Sequence, residues 1–230
     1  MDSPSGPEPS RSEPSGSAQS APLPPPREPG TQYRVCLVCL GNICRSPMAE
    51  TVLRASLTEA GLDGLVTLDS AGTGDWHIGE PMHQQARAAL ASRGYDGSAH
   101  RARQFRPSWL TERDLLLAMD ARNLTTLRRM AGAADRDRIR LFGEVGGLGQ
   151  GDGVEIPDPY GGNEADYWHV LELLGSAAPV IAARLARLLE PGPGGQDRGG
   201  PGRVAPGRAG PGRVAFSPAG PDPGRPGAAT

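Results

Sequence analysis

The chain has 230 residues and a formal net charge of −2, so no global pull toward nucleic acid or a membrane surface is expected. No apolar run of about 18 residues signals a spanning helix, and the first residues lack the basic start and apolar run of a secretory signal. The three cysteines are odd in number and clustered, which argues against a disulfide framework; the cytoplasm is the expected compartment.

Residues 1–30 and 191–230 each hold nine of the 24 prolines. Both ends are rich in Pro, Gly, Ser and Ala and cannot bury enough apolar surface to offset the entropy of ordering. They are expected to be disordered tails around one domain, 31–190. In the first tail, PLPPPR (22–27) reads as a linker or as a polyproline segment that docks in an aromatic groove. In the last, GPGRVA occurs at 200–205 and again at 210–215. A solvated tail is expected there, with a weak hold on RNA or acidic partners as the alternative.

Between the tails the elements alternate. YRVCLVCL (33–40) is a short apolar run that suits a buried parallel strand. Ser46 and Pro47 read as an N-cap and a first helical residue, with the helix stopping at Gly61. LVTLDSAG (65–72) is a second strand, and HQQARAALASRG is a helix ending at Gly94. DLLLAMD (114–120) is a third strand, 123–131 a helix, and IRLF (139–142) a fourth strand. After the loop IPDPYGGN a last helix spans about 164–190, which Gly175 and Pro179 should bend or interrupt. Strand–helix alternation predicts an α/β fold, an open parallel sheet with helices on both faces. Its ligand site should lie at the carboxyl ends of the strands.

The stretch CLGNICRSPMAE (39–50) stands at the end of the first strand. Cys39 and Arg45 form C-x5-R, a weak signal alone. Its context strengthens it. Gly41 and Asn42 allow left-handed backbone, so the loop can turn successive N–H groups inward as an anion-binding nest. A helix start adds partial positive charge, and Arg45 offers a planar fork for two phosphate oxygens. The same field favours a thiolate at the loop's base, a nucleophile aimed at phosphorus. The chemistry also needs a leaving-group acid, and Asp158 in IPDPY, stiffened by Pro157 and Pro159, is the candidate. Other readings fit less well. A Walker-type loop needs Lys, and the chain has none. Cys36 and Cys39 match C-x2-C, but within a strand they point to opposite faces, and no second pair completes a zinc site. Cys36 is expected to be core. His77, His83 and His169 are expected to be surface or satisfied histidines.

VCLGNICRSPMAE resembles the active-site loop of the low-molecular-weight protein tyrosine phosphatases. IPDPY, SAGTGDWHIGEPM, GSAHRARQF and AMDARNL are similar to other stretches of that family, in order. The resemblance implies a four-stranded parallel sheet of the flavodoxin-like, phosphotyrosine phosphatase I-like type. It implies Cys39 as nucleophile, Arg45 as phosphate clamp, Asp158 as proton donor, and Leu40, Gly41, Asn42, Ile43, Cys44 and Ser46 as the phosphate-binding loop. Ser46 would bond the thiolate, Asn42, Ser70 and His100 would brace the loop, and Asp120 would orient it and its Arg. Trp76 and Tyr160 would wall the cleft, at a depth that suits a phenyl ring. Cys44 would form a reversible disulfide with Cys39 under oxidation.

One departure is Gly161, where many relatives carry a second tyrosine. The implied function is hydrolysis of phosphotyrosine and small aryl phosphates through a cysteinyl-phosphate. A phosphoarginine phosphatase is the nearer alternative, although those enzymes carry Thr where this chain has Ile43. An arsenate reductase would need cysteines after Cys44, and the chain has none. A non-catalytic phosphotyrosine-binding module would have lost Cys39 or Asp158. No metal and no cofactor is expected. The expected partner is a phosphotyrosine-containing protein, with no nucleic acid or membrane for the domain. The chain is expected to be a monomer or to self-associate weakly.

Overall fold

A computed structural model describes residues 21–149 and 155–190. Four strands, β1 (Tyr33–Cys39), β2 (Val66–Gly72), β3 (Leu115–Ala118) and β4 (Ile139–Leu141), form one parallel sheet in the order β2-β1-β3-β4. The helices are α1 (Arg45–Glu59), α2 (Gln84–Ser92), α3 (Trp109–Glu112), α4 (Ala121–Met130), α5 (Phe142–Val145) and α6 (Glu164–Leu189), with a 3-10 turn at Ala133–Arg138. The short α3, α5 and the 3-10 turn carry too little periodicity to be read from sequence. β1 pairs with β2 on one side and β3 on the other, Cys39 opposite Gly72 and Val38 opposite Ala118. The strand order therefore reverses around β1, and its carboxyl end is the crevice where such sheets take ligands.

Burial explains the unbroken apolar run of β1. Val35, Leu37 and Cys39 join one core with Met48, Leu53, Leu174 and Ile181 of α1 and α6. Cys36 and Val38 join the other with Trp109, Leu116, Leu127 and Ile139. Both faces of the sheet are covered, so no polar alternation is needed. Cys36 and Cys39 indeed belong to opposite faces. The helix stops at Gly61 and Gly94 hold, with φ of +70° and +79°.

Four expectations change. First, Ser46 is not an N-cap. α1 starts at Arg45 with Cys44 at the cap position, and the Ser46 hydroxyl turns into the loop instead. Second, Asp120 lies beyond β3 and caps α4, accepting from Asn123 N at 2.7 Å. Third, α6 is unbroken across Gly175 and Pro179. Pro179 deprives the Gly175 carbonyl of its partner, but both residues are exposed, so water can replace the bond. α6 is also long and apolar enough, by length and composition, to cross a membrane; its apolar face packs on α1, α2 and α5. Fourth, residues 21–30 of the expected tail pack on the domain. Leu23 is buried and Arg27 bonds to Leu110, Arg113, Asp114 and Asp135. The remaining tail residues, 1–20 and 191–230, lie outside the described residues.

Candidate active site

Cys39 ends β1, and the chain turns through residues 40–44 before entering α1. The turn depends on Asn42, with φ +57°, alone among described non-glycine residues in the left-handed region. That conformation costs an L-residue roughly 1–2 kcal/mol. The fully buried side chain of Asn42 is held in compensation. Its Nδ2 donates to Ser46 Oγ and to Ser70 Oγ, each at 2.9 Å, and its Oδ1 accepts from Arg103 N at 2.9 Å. Its carbonyl pairs with His100 Nε2 at 2.7 Å. Burial lowers the His100 pKa against the opposing pull of that carbonyl, so the neutral ring donates from Nε2.

Ser70 and His100 thus converge on one residue. Arg103 is a brace that sequence reasoning missed. Besides its amide, its Nε donates to Ser70 O at 2.8 Å. Its place three residues after His100, in HRARQ, was the available signal.

Inside the turn, Cys39 Sγ receives Asn42 N–H at 3.2 Å and lies 3.0 Å from Ser46 Oγ. Because Asn42 already donates to Ser46 Oγ, the serine proton can point at the sulfur, which is nearer than its other acceptor, Ala71 O at 3.4 Å. Two donors can thus face one sulfur.

Arg45 is 3% exposed. Its Nη1 donates to Asp120 Oδ2 at 2.5 Å and to Ile156 O at 3.4 Å, and its Nη2 donates to Asp158 Oδ2 at 2.6 Å. A buried guanidinium needs such partners. Asp120 serves two elements at once, one oxygen on the α4 amino end and one on Arg45. Asp158 stands at the lip, half exposed, its Oδ1 accepting from Tyr160 N at 3.3 Å.

Around these groups is a cavity of about 120 Å³, lined by Cys39, Leu40, Gly41, Ile43, Cys44, Arg45, Trp76, His77, Asp158 and Tyr160. The Trp76 ring lies back over Gly74, where a Cβ would fall 1.8 Å from Cζ3. Trp76 and Tyr160 are both exposed at the rim.

His77 was not anticipated as a lining residue. Its Nδ1 is 2.8 Å from Glu80 Oε2, and its ring is 6.1 Å from that of Tyr160. Its neighbour Trp76 was the only sequence hint. His83 is satisfied, as expected, but it also touches the loop: its N–H donates to Ile43 O at 2.8 Å. Its Nδ1 is 2.9 Å from Tyr167 OH, which lies 3.8 Å from Cys44 Sγ. Burial pushes the Cys44 thiol up to about 12, so it stays protonated near neutrality. His169 is exposed on α6.

The turn therefore gathers a cysteine sulfur with inward donors, a buried guanidinium and a carboxyl at the lip in one aromatic cleft. A family model described as "Low molecular weight phosphotyrosine protein phosphatase" matches residues 34–190. The chain is 45% identical over 159 residues to a low molecular weight protein-tyrosine-phosphatase of Streptomyces coelicolor, covering 69% of this chain and 96% of that protein. The crystal structure of YfkJ from Bacillus subtilis superposes with a TM-score of 0.63 at 36% identity, covering 70% of this chain and 98% of that one. A protein tyrosine phosphatase from Entamoeba histolytica, with Hepes in its active site, gives 0.64 at 29%, covering 68% and 98%. By the family model across residues 34–190 and the 45% identity to the Streptomyces relative, the chain belongs to the low molecular weight phosphotyrosine protein phosphatase family.

Proposed function

We propose that the protein hydrolyses phosphotyrosine in proteins, and small aryl phosphates, by two in-line displacements at phosphorus. The observation that carries this reading is the convergence of Cys39, Arg45 and Asp158 on one cleft. The phosphoryl oxygens take the loop amides and the Arg45 fork. Cys39 sulfur attacks phosphorus while the P–O(aryl) bond breaks, and Asp158 gives its proton to the leaving phenol oxygen. Asp158, now a carboxylate, accepts a proton from water as that water attacks the cysteinyl-phosphate. Inorganic phosphate leaves and the thiolate returns.

Asp158 is paired with Arg45 Nη2. A phosphate dianion on Nη2 takes that partner, which frees the Asp158 carboxyl to turn toward the leaving-group oxygen.

The substrate class follows from the walls. Trp76, His77 and Tyr160 flank the opening, and apolar Ile43 lies in the lining, an environment for an aromatic ring rather than a guanidinium. Relatives named protein-tyrosine-phosphatases support the same reading. Three free thiols suit a reducing compartment such as the cytoplasm.

Phosphate release from matched phosphotyrosine and phosphoarginine peptides tests the substrate. Wild type should favour phosphotyrosine, and Ile43→Thr should narrow the preference. Equal or faster release from phosphoarginine by wild type would reject the assignment.

A further inference from the structure

The segment PLPPPR packs against the domain's own surface, at the amino ends of the strands and opposite the phosphate loop. A proline-rich backbone is rich in acceptors and poor in donors, because each proline keeps its carbonyl and lacks an N–H. A surface that recognises it must therefore supply donors, and this one does. Tyr33 OH donates to Pro24 O at 2.9 Å and Arg138 Nη1 to Pro25 O at 2.9 Å, while Arg184 Nη2 donates to Ala21 O. Leu23, the one aliphatic side chain of the tract, is 8% exposed and belongs to the main core cluster.

The end of the tract is read as closely. Arg27 carries the first N–H after the three prolines, and this amide meets Asp114 Oδ1 at 2.7 Å. Asp114 is 1% exposed, and its second oxygen accepts from Arg34 N. The Arg27 guanidinium donates to Arg113 O, Leu110 O and Asp135 Oδ1 at 2.8, 2.7 and 2.6 Å. Burial and the nearby Asp114 charge keep the Tyr33 phenol protonated, so its role as a donor is fixed. None of residues 21–30 falls within the match to the family, residues 34–190.

We propose that this surface is a built peptide-binding site for a proline-rich segment ending in arginine, occupied in cis by residues 21–27. The donors, the apolar slot and the acid-and-carbonyl socket correspond one to one with the features of such a peptide. Seated, the segment ties α6, the start of β1 and the approach to β3 and β4 together.

The test uses the full chain. A Leu23→Ala, Arg27→Ala double variant disengages the segment without touching the cleft. It should keep wild-type aryl phosphatase activity, which also certifies its fold, while its Tm falls by several degrees. A labelled synthetic peptide of residues 21–30 should bind it saturably and raise its Tm. The same peptide carrying Arg27→Ala should bind at least ten-fold more weakly, as should the labelled peptide added to wild type, whose site is filled. Equal binding to wild type and variant, or none to either at millimolar peptide, would overturn the proposal. Should the double variant not fold, hydrogen exchange at the Arg27 amide of wild type decides instead. Strong protection supports the seated segment, and exchange at the free-peptide rate rejects it.

Discussion

Arg45 Nη2 holds Asp158 Oδ2 at 2.6 Å, so the phosphate clamp and the proposed acid share one hydrogen bond. An oxyanion entering the loop competes with Asp158 for that donor. Asp158→Ala should bind vanadate or phosphate more tightly than wild type. The same variant should lose roughly 10²–10⁴-fold in kcat on aryl phosphates with poor leaving groups, and far less on activated ones. Inhibition constants and a leaving-group series measure both effects; weaker oxyanion binding and a flat series would contradict the shared bond.

Asp120 separates positioning from stability. It caps α4 through one oxygen and braces Arg45 through the other. Asp120→Asn retains a good cap but loses the charge on Arg45, so kcat/KM should fall while Tm changes little. Asp120→Ala should lose the cap as well, at about 0.5–2 kcal/mol. Denaturant unfolding and steady-state kinetics on the two variants distinguish the roles.

Asn42 carries both a left-handed backbone and the hydrogen bonds that fix the loop. Asn42→Gly should relieve the backbone cost yet leave Ser46, Ser70 and Arg103 without their partner. Asn42→Ala should keep that backbone cost of roughly 1–2 kcal/mol on top of the same loss. Activity should fall in both, with Ala the less stable of the two in chemical denaturation.

His100 makes a pH prediction. Its pKa in the fold lies below the ordinary value of 6.5 because burial disfavours the imidazolium. Below that ordinary value the unfolded chain takes up a proton that the folded chain refuses. Stability should therefore be full above about pH 6.5 and fall as pH drops toward the lowered folded value. His100→Gln should flatten that slope. A slope unchanged by the substitution would assign the effect elsewhere.

Cys44 is buried and protonated behind the loop. If it rescues Cys39, peroxide first oxidises the Cys39 sulfur to a sulfenic acid, and Cys44 sulfur then displaces water to form a disulfide that thiol reduces. Wild type should recover activity after peroxide and thiol treatment, whereas Cys44→Ser should not. Equal recovery in both would leave Cys44 a packing residue.

The fold was legible where one local pattern dominates. The apolar run of β1 and the glycine stops at Gly61 and Gly94 each depend on a few adjacent residues. So does the loop between Cys39 and Arg45, whose chemistry is contiguous. What sequence reasoning missed is tertiary. Ser46 looks like an N-cap because Ser–Pro favours one, yet a buried sulfur and Asn42 take its hydroxyl. His77 and Arg103 reach the site through loop crossings that no spacing reveals. Residues 21–30 look disordered by composition, but partners more than 80 positions away order Arg27.

Rapid quench of wild type with a phosphorus-labelled aryl phosphate, beside Cys39→Ser and Cys39→Ala, tests the central claim most directly. Wild type, quenched in denaturant at neutral to mildly alkaline pH, should yield a labelled phosphocysteine that maps to the peptide containing Cys39, with a burst of phenol before steady state. The Cys39 variants should show neither label nor turnover. Turnover by Cys39→Ala at the wild-type rate, or label on another residue, would contradict the account.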